Sequence, residues 1–144
     1  MKISTKGRYG LKAVVDIAHF GRDVRCVSLN AVSERQGISE NYLEQIVAPL
    51  KKAGVLNSVR GAGGGYYLAK PPQDLTVGDV LRILEGSLAP ADCVVSDDAS
   101  CATGNCQTCS AKPVWETLFE GINQVVDSIT IQDLIRKGFE NDLS

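Results

Sequence analysis

Leu43, Ile46, Val47 and Leu50 recur at helical spacing and leave Asn41, Glu44, Gln45 and Ala48 on another face. The first set can pack and the second can face outward. Ser39 is a good N-cap for this helix, Glu40 suits its first turn, and Ile38 and Leu43 occupy the positions of a hydrophobic staple. Upstream, Ser28 caps a shorter helix carrying Leu29, Val32 and Arg35, and Gly37 permits the turn between the two. Pro49 removes a donor inside the second helix, which predicts a kink or break near Ala48, with Leu50 to Ala53 as a separate turn. The period then changes. Val55–Arg60 and Tyr66–Ala69 are β-prone runs, and the intervening GAGGG includes Gly61, Gly63, Gly64 and Gly65. A glycine-tipped hairpin follows, with Arg60 at its base. Helix, turn, helix and hairpin in this order form a winged helix-turn-helix.

The outer face of the second helix carries short or planar hydrogen-bonding groups suited to base edges in a major groove, although an ordinary solvated face has a similar composition. Arg60 could enter a minor groove or pair with phosphate where bare glycine backbone approaches closely. A nucleotide-binding glycine loop fits poorly, because there is no Gly-Lys-Ser/Thr and a strand, not a helix, follows the glycines.

Elsewhere the chain reads as helix. Ser4 or Thr5 starts a helix to about Phe20, with a stripe of Leu11, Val14, Val15 and Ala18 and a stop at Gly21. Lys2, Lys6, Arg8 and Lys12 crowd its start, which opposes the helix dipole unless phosphates lie nearby. His19, the only histidine, lacks neighbouring ligands and is read as a surface or half-buried residue. After Pro71 and Pro72, Thr76 and Asp79 form a variant capping box for a helix ending at Gly86. Ser87 to Ala111 shows neither helical period nor strand character, and a loop of that length in a small protein is usually functional or disordered. Trp115, Leu118, Phe119, Ile122, Val125, Val126 and Ile129 then form a long helical seam suited to a symmetry mate. A last helix runs from Ile131 to Lys137 and stops at Gly138. The expected class is mainly α. Residues 1–86 form the DNA-binding domain, 87–112 a cysteine-rich loop, and 113–144 the dimerisation helix and a C-terminal helix.

With 144 residues and 44% hydrophobic content, the chain can bury one modest core. No apolar run approaches the roughly 18 residues needed to span a membrane, and the start lacks a signal-peptide core, so the expected location is cytoplasmic. The net charge of −2 hides an asymmetry. Residues 1–70 carry eleven Lys or Arg against five Asp or Glu, a balance of +6, whereas residues 71–144 carry four against twelve, a balance of −8. The basic half suits phosphate contact and the acidic half would stay off DNA.

In a reducing compartment five cysteines are unlikely to form a structural disulfide framework. Cys26 stands alone and reads as a small packing residue. The other four follow the spacing Cys93-x7-Cys101-x4-Cys106-x2-Cys109 and can reach one centre. Soft thiolates select iron-sulfur clusters or zinc. A zinc knuckle normally has two Cys-x2-Cys halves and only one is present; a thiol switch would use Cys106 and Cys109. A thioredoxin-type enzyme lacks its βαβ context, and no Ser/His/Asp or paired-carboxylate set supports hydrolysis.

MKISTKGRYGLKAVVDIA, SERQGISENYLEQIV, SVRGAGGGYYLAK and DVLRILEG, followed by a cysteine loop and Trp115, resemble the bacterial winged-helix regulators typified by the iron-sulfur regulator IscR, the nitric-oxide sensor NsrR and the cysteine-metabolism repressor CymR. The resemblance extends from residue 1 to about 135. It implies a cytoplasmic homodimer on a near-palindromic double-stranded DNA operator, with reading helices in major grooves and wings in minor grooves. At matching positions Ser39, Asn41, Tyr42, Glu44 and Gln45 would lie at the DNA, with Arg60 and Gly61 in the wing; Lys6 and Arg8 join them as the basic start of the first helix. IscR-like members of that family hold a 2Fe-2S cluster through three cysteines and a histidine and CymR-like members lack it; with four cysteines in the loop the resemblance implies a cluster here, 2Fe-2S favoured over 4Fe-4S. Counting back from Trp115, Cys109 matches the last cysteine ligand and Cys93 the first; Cys101 is the preferred middle one, with Cys106 open. Lys112 stands where the ligand histidine would be, so Cys106 or a group elsewhere would supply the fourth ligand.

The expectation is therefore a transcriptional regulator, not an enzyme, whose operator binding follows the state of an iron-sulfur cluster and senses cluster status, redox state or nitric oxide. The loop joins the helix ending at Gly86 to the dimer seam, so ordering it could reset the spacing of two reading heads. The alternatives are a zinc-stabilised regulator, a cluster-free thiol regulator acting with a partner such as a cysteine-biosynthesis enzyme, and an oxidoreductase using Cys106 and Cys109.

Overall fold

The structure is a computed structural model that describes residues 2–95 and 109–140. The Ser4 side chain accepts the Gly7 N–H and starts α1 (Thr5–Phe20), and the Gly21 N–H closes the other end on the Ile17 carbonyl. The buried face of α1 is Gly7, Gly10, Ala13, Val14, Asp16, Ile17 and Ala18, rotated from the expected stripe, since Leu11 and Val15 are only half-buried. The two glycines explain the rotation. A Cβ on Gly7 would lie 2.1 Å from Glu85 Oε1, and one on Gly10 would lie 2.1 Å from Leu84 Cδ1. Glycine adds nothing to an apolar stripe, so side-chain periodicity cannot register a helix packed onto bare backbone.

Ser28 and Gly37 bound α2 (Leu29–Gln36) as expected, with Gly37 in the left-handed region at φ 69°. Ser39 caps α3 (Glu40–Lys52), and Asn30 Nδ2 donates to Glu40 Oε1 at 2.8 Å, linking the starts of the two helices. Contrary to the expected break, α3 runs through Pro49 as one helix. Ile46, Val47 and Leu50 are buried on both sides of the proline, and the Pro49 carbonyl still accepts the Ala53 N–H at 3.0 Å. The donor that Pro49 lacks would have served the carbonyl of exposed Gln45, which water can reach.

The wing is an antiparallel pair, β1 (Leu56–Val59) and β2 (Gly65–Leu68), with Leu56 opposite Leu68 and Val59 opposite Gly65. Val27 extends it by one residue, exchanging two 2.8 Å backbone bonds with Tyr66. A short 3₁₀ turn at Pro72–Asp74 leads to α4 (Val77–Glu85), opened by the expected Thr76/Asp79 box with both bonds at 3.0 Å. In the cysteine segment, read from sequence as irregular, Asp92–Val94 forms another 3₁₀ turn.

The long helix α5 (Lys112–Ser128) and the short α6 (Ile131–Ile135) follow, α6 with its own Thr130/Asp133 capping box. The Val77 N–H donates to the Ile129 carbonyl at 2.9 Å and the Ile131 N–H to the Leu75 carbonyl at 2.8 Å. Two capped helix starts are thereby tied side by side. The expected stop at Gly138 does not occur; the chain continues as a wider turn over Arg136–Glu140. Phe139 supplies the reason, because its ring stacks on His19 with centroids 3.9 Å apart and meets Phe20 edge-on at 5.5 Å. That contact holds the turn across a glycine.

One core unites α1 to α4, the wing and α6: Val14, Val32, Leu43, Ile46, Leu50, Leu56, Val80 and the C-terminal Ile131 and Ile135 are almost wholly buried together. Inside it sits a carboxylate that sequence patterning gave no reason to place there. Asp16 is fully buried and accepts Arg35 Nε at 3.0 Å, Arg35 Nη2 at 2.8 Å and Gln36 Nε2 at 2.8 Å, joining α1 to α2. The Asp16 bond raises the Arg35 pKa, against the lowering effect of burial. A weaker tie joins α4 to α5, where Arg82 donates to Asp127 at 2.7 and 2.9 Å and to Asn123 Oδ1 at 2.8 Å.

Arg35→Ala should strand the buried Asp16 charge and destabilise the fold by about 3 kcal/mol, measured by urea unfolding; a loss near zero would mean that Asp16 is satisfied without Arg35. For the exposed pair the sign is set by Asp127, whose pKa is lowered mainly by its bond to Arg82. Its contribution is complete above the usual aspartate value, about pH 4, and disappears as pH falls through the lower folded value. A stability difference between wild type and Asp127→Asn should therefore be small but present at neutral pH and shrink towards zero in acid. A difference that grows in acid contradicts the assignment.

Candidate DNA-reading surface and cysteine loop

The polar face of α3 is available because its other face is consumed by packing. Leu43, Ile46, Val47 and Leu50 are buried, whereas Ser39, Asn41, Glu44 and Gln45 are exposed. The Ser39 hydroxyl is already used, accepting the Tyr42 N–H at 3.2 Å, so any outward contact shares it with the cap. Tyr42 is half-buried and meets Tyr9 edge-on, with centroids 5.9 Å apart at 79°. Lys12 Nζ lies 5.8 Å from the centre of the Tyr9 ring. Thus α1 reaches the helix start through Tyr9, which the sequence reading passed over. One aromatic near a basic helix start carries no periodic signal, and its partner lies 33 positions away.

Lys6 is half-buried and Arg8 exposed. Arg8 Nη2 donates to Thr5 Oγ1 at 3.2 Å, and Arg8 lines a groove of about 290 Å³ with Leu134, Gly138 and Phe139. Arg8 thus shares a groove with α1, Gln36 and the C-terminal turn, whereas Tyr9 joins the same helix to α3. At the wing, Arg60 is exposed immediately after β1. Gly61 and Gly63 adopt φ of 91° and 74°, and the Gly64 N–H closes the tip on the Gly61 carbonyl at 3.0 Å. A side chain at Gly61 would be strained in this conformation. Cys26, expected to be a packing residue, is half-buried and its thiol donates to the Gly63 carbonyl at 3.2 Å.

Two of the proposed metal ligands fall within the described residues. Cys93 lies in the Asp92–Val94 turn, which packs against α5, and Cys109 stands three residues before Lys112, the first residue of α5. Both thiols are half-buried, and the Cys109 carbonyl accepts the Lys112 N–H at 3.3 Å. Both ends of the cysteine segment are thus anchored at one helix. Cys101 and Cys106 lie outside the described residues, and among the described residues no group of three or more His, Cys, Asp or Glu side chains is arranged to hold a metal.

The apolar seam of α5 divides. Ile122, Val126 and Ile129 pack on Val77, Leu81 and Leu88 within the chain. Trp115 and Phe119 are half-buried, Leu118 and Val125 remain 40% and 59% exposed, Val114, outside the expected seam, is 54% exposed beside them, and no residue of α5 is fully buried. Among the described residues no helix is long and apolar enough to cross a membrane.

Comparison with known proteins agrees with this architecture. The Rrf2 family model, described as an iron-dependent transcriptional regulator, matches residues 3–137. The HTH-type transcriptional regulator CymR of Bacillus subtilis is 37% identical over 134 residues, covering 93% of this chain and 89% of CymR. IscR of Yersinia pseudotuberculosis is 38% identical over 135 residues, covering 94% of this chain and 79% of IscR. Among solved structures, CymR, the global cysteine regulator of B. subtilis, aligns with a TM-score of 0.76 at 37% identity over 95% of this chain and 98% of that one. T. potens IscR aligns with a TM-score of 0.75 at 44% identity over 100% and 93%. Matched over nearly its whole length by regulators of the same fold, the chain belongs to the Rrf2 family of transcriptional regulators and is not an enzyme.

Proposed function

We propose that the protein is a homodimeric, operator-specific DNA-binding regulator whose affinity is set through its cysteine loop. The observation that carries the DNA-binding part is the division of α3, with one face wholly consumed by the core and Ser39, Asn41, Glu44 and Gln45 left exposed on the other. Base edges in a major groove take such groups, and Arg60 and Gly61 at the wing tip suit the adjoining minor groove or its phosphates. Tyr42, Lys6 and Arg8 complete the proposed contact set. The exposed Val114, Leu118 and Val125 supply the dimer face, since a monomer would leave them in water.

Arg60→Ala should weaken binding to an operator duplex by about tenfold or more and flatten the dependence of log affinity on log salt, because a cation leaves the DNA surface. Unchanged affinity and slope would remove Arg60 from the interface.

For the loop, the donor chemistry fits an iron-sulfur cluster, 2Fe-2S in preference to 4Fe-4S. Cys93 and Cys109 are half-buried thiols at its two anchored ends, and Cys101 and Cys106 lie between them in sequence. A bound cluster would supply one-electron redox chemistry and a charge that depends on its state. The chain's own contribution is the anchoring: Cys93 in a turn packed on α5 and Cys109 three residues before α5 would couple the loop to the dimer face. With Lys112 in the place of the family histidine, Cys106 is the proposed fourth ligand.

Protein purified without oxygen should show visible absorption with comparable iron and sulfide. Cys109→Ala should abolish that signal, whereas Cys26→Ala should retain it. CymR matches this chain about as well as IscR, which favours a second reading, a cluster-free thiol regulator acting with a partner enzyme. Iron and sulfide absent after reconstitution, with a reversible disulfide on oxidation, would select that reading. Zinc alone would select a structural metal site. Equal operator affinity with and without the cluster would remove the coupling.

A further inference from the structure

A depression of about 520 Å³ opens between the C-terminal end of α1 and the chain leaving the wing. Arg22, Arg25 and Lys70 line it and no carboxylate does. Among the described residues the ion pairs are Arg35–Asp16 and Arg82–Asp127, so none of the three lining cations is in an ion pair there. Arg22 Nε donates to the His19 carbonyl at 3.1 Å, which fixes the guanidinium at the helix end. The floor is apolar, formed by Ile17, Ala18 and Leu68, and Pro71 and Pro72 give one rim a restricted backbone. Val24, also in the lining, is 56% exposed among the cations.

We propose that this depression docks an acidic segment of a partner protein, with carboxylates meeting Arg22, Arg25 and Lys70 and an apolar side chain resting against Val24 and the prolines. Unpaired cations around exposed apolar surface have the composition of an interaction site whose ligand carries both characters. A DNA backbone fits less well, because phosphodiester groups would leave the apolar floor without a counterpart. No residue of α3 or α5 lines the depression, and of the wing only Tyr67 and Leu68 do, at the end of β2 away from the Arg60–Gly61 tip, so a bound partner leaves the reading helix, the wing tip and the dimer face uncovered. The proposal does not depend on the cluster.

The test uses the full chain and a fluorescently labelled peptide of alternating glutamate and leucine, titrated at about physiological ionic strength, where distant surface charges are screened. Wild type should bind it saturably. Arg25→Glu/Lys70→Glu should lose about tenfold in affinity, equivalent to 1.4 kcal/mol, and Val24→Ser should lose several-fold. Lys51→Glu/Lys52→Glu, the same charge change at the end of α3, should leave peptide affinity unchanged. Absence of saturable binding, an equal loss in the α3 control or indifference to Val24 would each overturn the proposal. Loss of operator affinity and a flatter salt dependence in Arg25→Glu/Lys70→Glu would instead assign the patch to DNA phosphates. Operator binding by wild type in the same experiment separates failure of this site from failure of the DNA-binding reading.

Discussion

The close seating of α1 is the constraint on which the other elements depend. Gly7 and Gly10 let α4 approach the bare backbone of α1, and Asp16 on the same helix fixes α2 through Arg35 and Gln36. Tyr9 meets Tyr42 of α3, while His19 and Phe20 receive Phe139 from the C-terminal turn. One helix thus sets the positions of both parts of the helix-turn-helix and of the chain end that follows α5 and α6. A cavity or an added side chain at this centre would be felt across several elements, because packed interiors have little room to absorb volume changes.

The C-terminal part is built into the same body. Backbone bonds join Leu75 and Val77 to Ile131 and Ile129, and Arg82 reaches Asp127 and Asn123 across the α4–α5 contact. Any displacement at the anchored ends of the cysteine segment would therefore act on a helix that also packs against α4. The exposed portion of α5 faces away from this intrachain contact. One helix therefore has an apolar face spent within the chain and another left exposed.

Electrostatics follow the same partition. The basic N-terminal half carries the proposed nucleic-acid surface, but its cations have different surroundings. Arg35 is committed to the core through Asp16, Lys12 sits by Tyr9, and Arg22, Arg25 and Lys70 gather around an apolar depression. Net charge identifies the half suited to phosphate, whereas local packing determines which cations remain available.

Local chemistry made much of this protein legible from sequence. Ser4, Ser28, Ser39 and Thr76 marked helix starts, Gly37 marked the turn, and the glycine run marked the wing, because caps and turns are short-range choices of backbone conformation. The polar face of α3 was equally visible as spacing. Long-range contacts decided the rest. The core overrode Pro49, Phe139 carried the chain past Gly138, and α4 packed on the glycines of α1 as well as on Leu11 of its apolar stripe. The burial of Asp16 and the division of the α5 seam arise from residues distant in sequence, whose energies depend on which surfaces meet. Local chemistry was enough to place the starts of the helices, the turn and the wing; which faces are buried was settled by contacts between distant residues, since burial is a property of the assembled surfaces and not of local periodicity.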